Sequence, residues 1–323
     1  MKKRVLSGTQ PSGSLHIGNY FGMIKRMIEY QDSSDLFCFI VNLHSLTTLH
    51  DASRLRKLTL EAAMDFLALG LDPKKCCFWA QSDVPEVTEL MWILSCVTPM
   101  GLLERAHGYK DKLAKGIAAS NGLFSYPILM AADILINQAQ VIPVGKDQKQ
   151  HVEIARDIAI KFNNTFGETF VIPEAEIIEE VAVIPGIDGQ KMSKSYKNLI
   201  PIFGDPKVIK KAVMGIITDS KGVDEPKEAK GNTIYELYKL FATRDETDQM
   251  AEDFKKGGMG YGDAKKKLLE KITEHFAPFQ EKRAYYEAHP KEVEAILKEG
   301  GDKVRPILTE TMNKVREATG LNY

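Results

Sequence analysis

Cysteine is scarce in this chain. There are four among 323 residues (Cys38, Cys76, Cys77 and Cys96), and none forms a C-x-x-C pair. That excludes a disulfide framework and a structural zinc site of the usual spacing, and it predicts reduced, mostly structural thiols in a cytoplasmic protein. Charge of one sign is lacking too. Lys+Arg total 43 and Asp+Glu total 44, a net charge of -1. No global basic field exists to draw nucleic acid nonspecifically, so such a partner would need local patches. Long apolar runs are missing. The longest uncharged stretch, Gly116 to Ala132, holds Ser120, Asn121, Ser125 and Pro127 and ends at Asp133, which predicts no membrane span. The basic start is followed by Gly8, Gln10, Pro11 and Gly13, where a secretory signal needs an apolar core.

Several catalytic patterns are also missing. No Gly-Lys-Ser/Thr completes a Walker A loop, and no H-E-x-x-H or G-x-S-x-G occurs. His44 and His50 are six apart, which is not a helical ligand pair. No resident metal is expected from these patterns.

With 44% apolar and 27% charged residues, the chain reads as globular, and its length suggests two domains of about 150 residues. Charged positions rise from about a fifth up to Gly204 to more than a third from Asp205 onward. The first part alternates strand and helix signals. Arg4–Ser7, Leu36–Val41, Cys77–Gln81 and Val141–Val144 are short apolar runs of strand length. Ile17, Tyr20, Phe21, Ile24, Met27 and Ile28 recur at helical spacing, and Ala52–Leu69 predicts a second helix stopped by Gly70. Pro85 to Ala114 reads as mostly helical, and Pro127 suits the first turn of a helix running to about Asn137. Another helix is expected from about Lys149 to Phe162. Strands separated by helices argue for βαβ units and a parallel sheet. The second part predicts helices, among them Lys265 to Tyr286 and Lys291 to Thr319, with a glycine-rich loop from Gly257 to Gly262. Trp79 and Trp92 are expected in the core or between helices. The Lys255-Lys256 and Lys265-Lys266-Lys267 runs are expected on solvated faces.

Three segments carry chemistry. Ser7-Gly-Thr-Gln10-Pro11-Ser12-Gly-Ser-Leu-His16-Ile-Gly18-Asn19 leads from the first strand into the first helix. Glycines there let a phosphate approach the backbone, and a helix start favours an anion. His16 and Asn19 share a face and can both donate hydrogen bonds. Pro185-Gly-Ile-Asp-Gly189 leads into Lys191-Met192-Ser193-Lys194-Ser195, whose two lysines place compact positive charge on a polyphosphate. Tyr126, Met130 and Asp133 fall on one helix face, followed by Val144-Gly145-Lys146-Asp147-Gln148. An apolar wall with one carboxylate suits an aromatic ring with one N–H donor, such as indole.

Taken together, the first two segments resemble the signatures of class I aminoacyl-tRNA synthetases. His16-Ile17-Gly18-Asn19 looks like their HIGH motif with Asn19 in place of the last histidine, and Lys191 to Ser195 matches their KMSKS motif at every position. The third segment resembles the tryptophan-specific bacterial branch. Tyrosine-specific relatives usually carry a polar residue where Met130 stands. The resemblance covers essentially the whole chain.

It implies an α/β fold: a Rossmann-like parallel sheet with helices on both faces, plus a C-terminal all-helical domain. The implied division is a catalytic domain over 1–204, with 290–323 packing back on it, and an anticodon-recognition domain over 205–289. ATP is the implied substrate, with Mg²⁺ on its phosphates and tRNA as acceptor. His16, Asn19, Lys191 and Lys194 are the implied catalytic residues. Gln10, Pro11, Ser12, Gly18, Gly145, Lys146, Asp147, Ile184, Met192, Ser193 and Ser195 would join them around ATP, with Lys112 a weaker candidate. For the amino acid, Asp133 would accept the indole N–H, and Leu6, Met130, Ile142 and Val144 would wall the ring. Tyr126 and Gln148 would hold the α-amino group, and His44 would reach the carboxylate side. The family is generally homodimeric. Some members bind an iron–sulfur cluster through cysteines of the helical domain; none follows Cys96 here, so no cluster is expected.

Overall fold

The computed structural model describes residues 2–106, 120–177 and 184–323, and the side chain of Asp147 is outside that description. Five strands, β1 (Arg4–Thr9), β2 (Asp35–Ile40), β3 (Cys77–Ala80), β4 (Val141–Val144) and β5 (Glu174–Ile177), form one parallel sheet in the order β3-β2-β1-β4-β5. The chain reverses its order between β1 and β4, the switch point at which open α/β sheets bind ligands beyond their carboxyl ends. Register runs Leu6↔Phe37 and Phe37↔Cys77, with Val5↔Val141 joining the halves.

Alternation along the strands assigns the two faces. Leu6, Phe37, Phe39, Trp79, Ile142 and Val144 belong to one core with the helices Glu86–Val97, Asn121–Ile136 and Lys149–Phe166. Phe78 points the other way and meets Phe66 of the Ala52–Ala68 helix, ring centroids 6.3 Å apart. Helices therefore cover both faces, the Rossmann-like arrangement expected. The Pro290–Thr319 helix closes the β3 edge. A Cβ on its Gly300 would lie 1.8 Å from the Phe78 carbonyl oxygen, so only glycine permits this approach.

Compactness groups the described chain into two units. One is Met1–Gly13, Met27–Glu179 and Ala288–Tyr323; the other is Ser14–Arg26 and Glu180–Glu287. In the second unit an aromatic cluster ties the first-signature helix to the Tyr261–Ala288 helix. Tyr20 meets Phe276 at 5.2 Å, and Phe21 meets Phe241 at 5.2 Å. The 17–33 helical run carries a π-helical turn, Tyr20–Ile24, between Ile17–Asn19 and Lys25–Ser33.

Some local expectations need correcting. Pro127 is not in a first turn: the helix begins six residues earlier, where the Ser120 hydroxyl accepts from Leu123 N–H at 3.1 Å. The Pro85–Ala114 stretch is broken at Thr98 and Pro99 into Glu86–Val97 and Met100–Glu104, and residues 107–119, with Lys112, lie outside the described residues. β5 was not foreseen, because its Glu174-Ala-Glu-Ile177 sequence reads as polar. Trp79 is in the core, stacked on Phe39 at 5.1 Å, but Trp92 is 71% exposed on the outer side of its helix. Buried Cys38 and Cys76 have their thiols pushed up, Cys76 to about 12, so they are inert packing groups.

Replacing Gly300 with alanine must push the helix off the β3 backbone. Gly300→Ala is expected to cost about 1–3 kcal/mol, read as a lowered denaturation midpoint. An unchanged midpoint would mean the helix does not seat there.

Candidate functional site

Residues singled out from the sequence gather at the carboxyl ends of the strands. Gln10, Pro11 and Ser12 follow β1, His44 follows β2, and Gly145 and Lys146 follow β4. In the first unit the centre is Asp133. It is 4% exposed on the Asn121–Ile136 helix. Its two oxygens accept from the Gln81 side-chain amide at 2.8 and 2.9 Å. His44 Nε2 lies 2.9 Å from Oδ2. Burial raises the Asp133 carboxyl above the usual range, and the His44 and Gln81 contacts pull part of that back. Leu6, Ile142 and Val144 are buried in the adjoining core, with Met130 half-buried at its edge.

Two partners were not foreseen. Gln81 is fully buried immediately after β3; a lone Gln at a strand end gives no pattern in sequence. The Tyr126 hydroxyl meets His151 Nε2 at 2.6 Å, a bond between the two helices. His44 sits on Asp133, and its ring meets Tyr126 edge-on at 6.4 Å. Gln148 and Lys146 are exposed on the 3₁₀ turn Lys146–Gln148.

The second unit brings the two signature segments together. His16 caps the helix start: its Nδ1 accepts from Asn19 N–H, and its own N–H reaches Asn19 Oδ1, both at 3.3 Å. With Nδ1 an acceptor, the ring proton is on Nε2, which leaves one donor rather than two. Ile17 N–H donates to Ile200 O and Ile202 N–H to Leu15 O, each at 3.1 Å, so the strand-like segment after the lysine loop runs against the histidine. Gly18 N–H meets Met192 Sδ at 3.4 Å, and a Cβ there would press on His16 Nδ1 at 3.0 Å and Met192 Cβ at 3.2 Å. The glycine of the first signature, Gly18, therefore serves close approach between the two motifs.

Asn198, 2% exposed, is the fastener of the lysine loop. Its Oδ1 accepts from Ser193 N–H at 2.8 Å, and its Nδ2 donates to Asp188 at 2.7 Å and to Lys191 O at 3.1 Å. Met192 N–H donates to Ile184 O at 2.9 Å, which places Ile184 as a backbone partner of the loop. Ser193 and Ser195 hydroxyls pair at 2.8 Å, and Lys194–Tyr196 forms a 3₁₀ turn. Burial first, and the Lys194 charge second, hold the His16 imidazole down at about 4.

The lysine-rich runs of the helical region are largely paired. Lys265 donates to Met214 O at 3.1 Å, Lys266 meets Asp263 at 2.9 Å, and Lys267 meets Asp253 at 3.9 Å. Among the described residues no group of three or more His, Cys, Asp or Glu side chains is placed to hold a metal ion, and no helix is long and apolar enough to cross a membrane.

An all-parallel sheet with a histidine-capped helix start and a lysine loop fastened to it defines a class of nucleotide-activating enzyme. The family profile for tRNA synthetases class I (W and Y) matches residues 1–277, and the chain belongs to that family. Two named relatives are alike over nearly their full length. Tryptophan--tRNA ligases of Campylobacter jejuni and Fusobacterium nucleatum are 52% and 51% identical, covering 98% and 99% of this chain and 100% and 98% of theirs. A crystal structure of tryptophanyl-tRNA synthetase from Campylobacter jejuni, complexed with ADP and tryptophan, superposes with a TM-score of 0.96 over 98% of this chain and 99% of that one, at 52% identity.

The depressed His16 value has a pH consequence. An unfolded imidazole takes its proton near 6.5, so this residue's contribution to stability is present above that pH and declines as pH falls toward about 4. Its NMR titration is expected near pH 4 and should move upward in Lys194→Ala. A midpoint between 6 and 7 would mean the ring is solvated.

Proposed function

We propose that this chain is a tryptophan–tRNA ligase. It joins L-tryptophan to ATP, giving tryptophanyl-adenylate and pyrophosphate, and then passes the aminoacyl group to the 3′-terminal ribose of tRNA(Trp). The single observation that carries the choice of amino acid is Asp133, a buried carboxylate set beside an apolar core and flanked by Met130. Indole offers one donor and no acceptor, which such a site accepts. A phenol would leave its oxygen against apolar Met130.

The chemistry needs little covalent help from the protein. The tryptophan carboxylate attacks the α-phosphorus, the bond to the bridging oxygen breaks, and pyrophosphate leaves. Rate then comes from positioning and from charge stabilisation. His16, as a neutral Nε2–H donor, and Asn19 are assigned to the phosphates with Gln10, Pro11, Ser12 and Gly18. Lys191 to Ser195 would form the strap on the leaving pyrophosphate, and Ile184, a backbone partner of that loop, is assigned to the adenosine side. Gly145, Lys146 and Asp147 are assigned to adenosine, and Gln148 and Tyr126 to the α-amino group, for which the Tyr126 hydroxyl would share its His151 bond. Mg²⁺ would arrive with ATP and be held chiefly by phosphate oxygens, because the described side chains offer no carboxylate cage. In the second step the ribose hydroxyl attacks the carbonyl carbon and AMP leaves.

The wider reading goes with this activity. Residues 205–289 would read the anticodon, 1–204 with 290–323 would do the catalysis, and the enzyme would act in the cytoplasm as a homodimer. Exposed Trp92 and Met100, 71% and 62% accessible, are among the apolar side chains available to a second copy.

Pyrophosphate exchange into ATP tests the proposal. Tryptophan should support it and tyrosine should not, by about a hundredfold or more, because a phenol oxygen, itself an acceptor, would be left without a donor against Met130. Exchange with tyrosine, or with neither, would reject the assignment.

A further inference from the structure

Gln81 lies outside every motif that resembles the family, yet it makes more contact with the indole-reading carboxylate than any other described side chain. It is the first residue after β3 and is fully buried. Its Oε1 accepts the Leu43 N–H at 3.1 Å. That bond fixes which way the amide faces, so the NH₂ group must point at Asp133. There it donates to both carboxylate oxygens, at 2.8 and 2.9 Å. Next to it, Asn42 and Ser82 exchange two further bonds, Asn42 Nδ2 to Ser82 Oγ at 2.8 Å and Ser82 N–H to Asn42 Oδ1 at 3.1 Å. The turn that carries Gln81 is thus riveted to the helix Asn42–Ser45 that carries His44, and both deliver donors to one carboxylate.

A carboxylate offers about four acceptor positions. One Gln81 N–H is shared between the two oxygens, occupying a position on each, and His44 takes another on Oδ2. One position remains, on Oδ1. We propose that Gln81 is a positioning residue that sets specificity: it locks the Asp133 carboxylate so that a single acceptor position faces the ring and only a substrate bringing one N–H completes the set. The inference rests on the reading of Asp133 as the indole acceptor.

Gln81 also joins His44 in favouring the ionised form of the carboxylate against burial. Burial alone raises the Asp133 value, and the Gln81 and His44 contacts oppose that. His44 is the titratable group in contact with Asp133, while Tyr126 and His151 are bonded to each other. Without the amide donor, Asp133 takes up a proton at higher pH and offers an O–H where an acceptor is needed.

The test is kinetic. Gln81→Met keeps the side-chain length and removes both donors. Its KM for tryptophan should rise about ten- to hundredfold, the worth of hydrogen bonds to a charged group, while the KM for ATP stays within about twofold. The acid limb of tryptophan KM should move to higher pH. Discrimination between tryptophan and its benzothiophene analogue, which lacks the ring N–H, should shrink. In an Asp133→Asn background the same change should add little, because both act on one interaction. Gln81→Glu preserves size and can still accept from Leu43, and its added acid should move the acid limb upward as well. It serves if Gln81→Met does not fold. An unmoved acid limb with unchanged tryptophan KM, or equal losses for tryptophan and ATP, would overturn the inference. Asp133→Ala separates the two levels: unchanged tryptophan KM there rejects the pocket itself, whereas a raised KM with a silent Gln81 variant rejects only the role of Gln81.

Discussion

A carboxylate taken out of water is costly unless its oxygens are satisfied, and Asp133 organises the first unit around that requirement. Gln81 arrives from the end of β3 and His44 from the turn after β2, each donating to it. The sheet order makes this possible, since the carboxyl ends of neighbouring parallel strands open on one edge. Leu6, Ile142 and Val144, the residues proposed to wall the ring, belong to the inner face of the sheet and its core. On that proposal, specificity is an extension of folding, because residues that pack the sheet would also bound the substrate.

The second unit meets a different requirement, holding a lysine-rich loop in place without burying it by packing. Asn198 does this with hydrogen bonds. It fastens Ser193, Asp188 and Lys191 at once, while Lys191 and Ser195 stay exposed. The close approach of Gly18 to Met192 brings the histidine segment against the loop, and the Lys194 charge helps keep His16 neutral. A neutral imidazole donates through one nitrogen only, and capping by Asn19 decides which one.

Much of this was legible in the sequence, for reasons that differ by residue. Strands β1 to β4 announced themselves because short apolar runs with β-branched and aromatic residues fit a half-buried pleat. β5 did not, since Glu174 and Glu176 disguise it. The helix containing Pro127 was set too short because proline is read as a first-turn residue, whereas the Ser120 cap, just before the helix's first residue Asn121, marks the true start. The His16 and Lys191–Ser195 segments stood out through composition at short range. Gln81, His151 and Asn198 did not, because their meaning comes from partners 52, 25 and up to 10 residues away in the chain. Amide and imidazole side chains look alike in sequence whether they hold a carboxylate or face water. Trp92 failed in the opposite sense: its size suggested packing, and it stands exposed.

The bond between the indole N–H and Asp133 can be observed directly. Tryptophan labelled with ¹⁵N at the ring nitrogen, bound to the protein, should show an N–H proton shifted downfield and protected from exchange with solvent, and both effects should vanish in Asp133→Ala. A bound ring whose N–H exchanges as fast as in free tryptophan would contradict the account.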